Sequence, residues 1–73
     1  MTEPIYRHIG AKIQQMRTLL DIKQEEVAKR CGLTRTSIAN IEAGRQRILL
    51  HDVETISKAF NTTPRALLKG MWD

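Results

Sequence analysis

The sequence predicts an all-α, compact domain of five helices. Three observations carry that prediction. Apolar residues recur at intervals of three or four along most of the chain, no segment alternates with period two, and capping or helix-ending residues stand between the periodic stretches. No repeat and no low-complexity linker interrupts the pattern, so residues 1–73 are read as one domain.

Ile5, Ile9, Ile13, Met16 and Leu20 share one face of a helix over about residues 5–20. Asp21 follows, a residue that tolerates the left-handed geometry of a helix end. The second helix, about 24–31, places Val27, Ala28 and Cys31 on one side and stops at Gly32. Thr34 stands as N-cap of a third helix, about 35–43, with Ile38 and Ile41 inward and Gly44 ending the run. "RQRI" reads as a loop. Leu50, Val53, Ile56 and Phe60 then return to helical spacing, and Thr63 with Pro64 opens a last helix carrying Leu67, Leu68 and Met71.

Composition narrows the function. With 73 residues the chain is near the lower limit for a single unstapled core and too small for a deep catalytic pocket. One cysteine cannot form an internal disulfide, and two histidines, His8 and His51, leave a metal site short of ligands. The N-terminus has no apolar signal-peptide core and no run long enough to cross a bilayer, so the expected location is the cytoplasm, away from the membrane. The net charge of +4 suits a polyanionic partner but equally serves solubility, so position has to decide.

Position points to residues 24–43. Two short helices joined by "GLT" must meet at a small side chain, which Ala28 supplies; Gly32 permits the positive φ of the turn, and Val27, Ile38 and Ile41 fill the angle. That spacing is a helix-turn-helix. With Ile38 and Ile41 buried, Arg35, Thr36, Ser37 and Asn40 face outward, a small polar face that fits a major groove, where Arg pairs with guanine and Asn with adenine.

The stretch "QEEVAKRCGLTRTSIANIEAGR" resembles the core of the Cro/cI-type helix-turn-helix family of phage and bacterial transcription regulators, with Gln24, Ala28, Gly32, Ser37, Ile38, Glu42 and Gly44 in register. The likeness covers nearly the whole chain, to about Leu68, and implies a lambda-repressor-like fold. It further implies that Arg35 and Thr36 read bases, with Asn40 one turn on, and that Gln24, Ser37 and Arg45 hold backbone phosphates, with Arg47 close by. It also implies an ion pair between Arg17 and Glu42 that ties helix one to the reading helix. Two departures stand out: Lys23 replaces the usual Ser or Thr cap of helix two, where it can add a phosphate contact, and Ile48-Leu49 replaces the common Pro-Ser start of helix four.

Other features have ordinary readings. Cys31 on an inner face is expected to be a small buried apolar residue rather than a nucleophile. His8 and His51 lie on separate helices without ligand spacing and are read as surface residues. Leu68, Met71 and Trp72 either fold back on helix five or form part of a dimer seam.

The expected function is therefore a sequence-specific regulator of transcription, a repressor, binding double-stranded DNA as a homodimer on a palindrome. No enzymatic constellation, cofactor or small-molecule ligand is indicated. The alternative from another class is the antitoxin of a toxin–antitoxin pair, binding a protein toxin and autoregulating its operon; the chain offers no long extra tail to wrap one.

Overall fold

Pro4 begins the first helix of the computed structural model, which describes residues 3–72. The outermost residues of the expected domain, Met1, Thr2 and Asp73, lie outside that range. Five helices follow in order: α1 Pro4–Leu19, α2 Gln24–Cys31, α3 Arg35–Glu42, α4 Leu50–Ala59 and α5 Pro64–Leu67. No strand occurs among the described residues.

The local signals for helix ends act as physical chemistry requires. Asp21 adopts φ 55 and Gly32 φ 70, turning the chain out of α1 and α2. Thr34 and Thr63 accept hydrogen bonds from the Ser37 and Ala66 amides and so cap α3 and α5. Neither Lys23 nor Leu49 caps its helix through a side chain.

The helices close into a ring: α1 packs on α3, α3 on α2, α2 on α4, α4 on α5, and α5 returns to α1. Inside it lie Ile9, Ile13, Val27, Ala28, Ile38, Ile41, Val53, Ile56, Phe60 and Leu67. Burying each large side chain of this set stabilises the fold by roughly 1.5–3 kcal/mol. Arg30 adds a polar tie from α2 to the end of α4, donating to the Ala59 carbonyl at 2.9 Å. The hydroxyl of buried Ser57 is satisfied within its own helix by the Val53 carbonyl at 2.7 Å.

Several expectations are corrected at the edges. α1 starts at Pro4, since proline fits the first helical position, and ends at Leu19, leaving Leu20 outside the helix and exposed. α3 stops at Glu42, with Ala43 as its C-cap before Gly44 at φ 75. Leu50 is 88% exposed, although it matches the α4 spacing. At 100° per residue it stands roughly 70° from the centre of the Val53, Ile56, Ser57 and Phe60 stripe, and Ile48, ahead of the helix, packs against the core there. α5 ends at Leu67, so Leu68 and Met71 reach the core edge from a turn, which includes Gly70 at φ 85. Cys31 is half-buried rather than buried; burial nonetheless pushes its thiol pKa up, Asp52 adds to that shift and Arg30 opposes it.

Candidate nucleic-acid interface

α2 and α3 meet over Gly32, Leu33 and Thr34. Ala28 is buried at the join, its carbonyl accepts the Leu33 amide at 2.9 Å, and Val27 and Ile38 are fully buried beneath it. One face of α3 is thereby committed to the core. The residues left outside are Arg35 and Thr36, exposed, and Ser37 and Asn40, half-buried.

A charged network fixes that face relative to α1. Arg17 donates from Nε to Glu42 Oε2 at 2.7 Å and from Nη2 to Oε1 at 3.0 Å, while Nη1 donates to the Ile22 carbonyl at 2.9 Å. The Glu42 side chain is 3% exposed and that of Arg17 16%. Such a fork-to-fork pair needs this geometry, because two charges removed from water repay their desolvation only when their hydrogen-bonding groups are met. The hydrogen bond to Glu42 raises the Arg17 pKa, against the opposing effect of burial.

Gln24 joins this network, its Nε2 donating to Glu42 Oε1 at 3.1 Å. The residue that the resemblance assigns to a phosphate is thus held by a carboxylate, with one amide hydrogen left over. Around it, Arg17, Lys23, Gln24, Glu25 and Arg35 line an open hollow where the ends of three helices converge.

Glycines set the remaining geometry. At Gly10, a Cβ would run into the Ile41 and Glu42 carbonyls, so α1 rests directly on the last turn of α3. At Gly44 a Cβ would meet the Arg7 backbone and side chain. A glycine inside a helical pattern is the signal that could have revealed the first contact. The segment after α3 is therefore pinned to α1, and it delivers Arg45 beside Asn40: the Arg45 amide donates to the Asn40 carbonyl at 2.9 Å and its Nε to Asn40 Oδ1 at 3.2 Å. That side-chain bond was not legible in the spacing. Arg45 and Arg47 are exposed, as are Lys23, His8 and His51. Among the described residues no group of three His, Cys, Asp or Glu gathers as a metal site.

A small outward face on the second helix of a helix-turn-helix, flanked by cations, has counterparts in known proteins, and the helix-turn-helix family profile matches residues 13–67. The chain belongs to the helix-turn-helix family. It is 39% identical over 69 residues to the control protein C.BamHI of Bacillus amyloliquefaciens, covering 93% of this chain and 85% of that one. The crystal structure of the restriction-modification controller protein C.AhdI from Aeromonas hydrophila superposes with a TM-score of 0.82 at 26% identity, covering 85% of this chain and 90% of that chain. A third likeness, in fold alone, is to the controller protein C.Esp1396I, solved as a tetramer on its natural 35 base-pair operator: TM-score 0.84, 21% identity, 92% and 88% covered. This helix-turn-helix protein is a non-enzymatic DNA-binding regulator of transcription, related to the restriction-modification controllers. None of its described helices is long and apolar enough to cross a membrane.

Proposed function

We propose that this chain is a sequence-specific repressor that inserts α3 into the major groove, as a homodimer on a palindromic operator, and that it governs the expression of a restriction-modification operon in the cytoplasm. The observation that carries the proposal is the division of α3 into a buried face locked to α1 through Arg17 and Glu42 and an outward face of Arg35, Thr36 and Asn40. Those outward residues read bases. Lys23, Gln24, Ser37, Arg45 and Arg47 surround them as phosphate contacts that set the register.

The length of α3 supports dimerisation. The eight residues of α3 rise about 12 Å, which spans fewer than about four base pairs at 3.4 Å each. Two molecules measuring 28 × 25 × 21 Å can set their reading helices about 34 Å apart on one face of the duplex. Trp72, 71% exposed beside half-buried Leu68 and Met71, supplies the apolar anchor of the seam. The tetrameric operator complex of C.Esp1396I supports assembly of several copies on DNA.

Selection of sites from a random duplex pool, followed by sedimentation of the complex, tests this reading. A two-fold symmetric site holding two copies, which silences a reporter promoter placed over it, is expected. Lack of symmetry would remove the dimer, and activation of the reporter would reverse the sign of regulation.

A further inference from the structure

Arg45 and Asn40 are linked twice, through the backbone at 2.9 Å and through Nε to Oδ1 at 3.2 Å. Because Arg45 Nε can only donate, the atom of Asn40 that receives it is the amide oxygen. The contact therefore decides which way the amide faces.

An asparagine pairs with adenine by using both ends of its amide together: the nitrogen donates to N7 and the oxygen accepts from the N6 amino group. Here the oxygen end is turned to Arg45, leaving the nitrogen end with its two hydrogens. The guanidinium beside it brings further N–H groups and no acceptor. One of the two lone pairs of Oδ1 is taken by Arg45, so the position offers more donors than acceptors, next to a positive charge. Guanine is the base whose major-groove edge carries two acceptors, N7 and O6, whereas the adenine edge carries a donor that would meet another donor.

We propose that Arg45 is a positioning residue that orients the Asn40 amide, so that this point of the reading helix favours guanine over adenine. The inference rests on the proposed entry of α3 into the major groove. Its rigidity comes from the fold. Gly44 lies against Arg7 and Gly10 against the Ile41 and Glu42 carbonyls, so the segment carrying Arg45 has a fixed seat on α1. Orientation is thereby prepaid before DNA arrives, which is how a preorganised contact gains specificity.

The test compares sites selected from a random duplex pool by the wild type, Asn40→Ala, Arg45→Ala and Arg45→Lys, with far-UV circular dichroism to verify that each variant is folded. Arg45→Lys retains the positive charge but replaces the Nε–H with a methylene, so it separates orientation from attraction to phosphate. The base pair that loses its preference in Asn40→Ala marks the position read by Asn40. There the wild type is expected to prefer guanine over adenine by roughly ten-fold, within the range of one good base contact. Both Arg45 variants should shift that single position towards adenine and leave the others unchanged. If Asn40→Ala relaxes a position but the Arg45 variants keep its guanine and only bind more weakly everywhere, Arg45 is a phosphate contact alone and the orienting role is overturned. If Asn40→Ala relaxes no position, Asn40 reads no base and this inference is overturned, while the major-groove reading falls only if the wild type itself selects no defined site.

Discussion

Arg17 and Glu42, 25 residues apart, face each other through two hydrogen bonds of 2.7 and 3.0 Å at the junction of α1, α2 and α3. On the proposed reading this pair joins stability to recognition, because the helix that carries Glu42 also carries Arg35, Thr36 and Asn40. Glu42 is turned inward, away from any phosphate it would repel.

Removing either partner strands the other. Glu42→Ala leaves a largely buried guanidinium unpaired and also orphans the Gln24 amide, so a loss of about 2–4 kcal/mol is expected, near the range for a broken buried pair. Arg17→Ala should cost a similar amount, and the double variant less than the sum of the two. Urea unfolding of the four proteins measures this. Strict additivity would show that the pair contributes nothing of its own.

The two glycine contacts differ in kind. Gly10→Ala would set a Cβ 2.7 Å from the Glu42 carbonyl oxygen, with the Ile41 carbonyl nearer still. Backbone has to move, and a loss of about 1–3 kcal/mol together with weakened DNA binding is expected. Gly32→Ala meets nothing within 4 Å and suffers only from its φ of +70, worth about 1 kcal/mol. Thermal melts should place Gly10→Ala lower; the reverse order would remove the close approach of α1 and α3.

Salt dependence separates positioning contacts from base contacts. Each phosphate neutralised contributes roughly −0.9 to the slope of log affinity against log salt. Arg47→Ala should flatten the slope by about one such unit and weaken all sequences alike, while Asn40→Ala should leave the slope unchanged. Fluorescence anisotropy over a salt series gives both values, and an unaltered slope for Arg47→Ala would take that residue off the backbone.

Cys31 should react slowly. Burial and Asp52 raise its pKa, so the thiolate is scarcer at neutral pH than for a free cysteine, and its alkylation should be slower in the folded protein than in urea. An acid whose pKa is raised on folding favours the native state at neutral pH, and that contribution is lost as pH climbs through the folded value. Equal alkylation rates in both states would show that the thiol is fully accessible.

The sequence by itself determined the five helices, several of the residues that cap or stop them, and the inward face of most of them. Thr34, Gly32, Thr63 and Pro64 act within one turn of the chain, and Ile9, Ile13, Val27, Ile38, Ile41, Val53 and Ile56 declare themselves by a spacing any single helix displays. Tertiary structure decided where those faces run out and which polar groups meet. Leu50 keeps helical spacing yet stands in solvent, because periodicity reports direction around a helix and not whether a neighbour lies beneath it. The Gln24 amide bound to Glu42 and the Asn40 amide turned to Arg45 depend on where segments come to rest: α1, α2 and α3 in the first case, and in the second the post-α3 segment seated by Gly10 and Gly44. A side-chain hydrogen bond exists only within a few tenths of an ångström, and that precision is reached only once the packed core has placed the backbones.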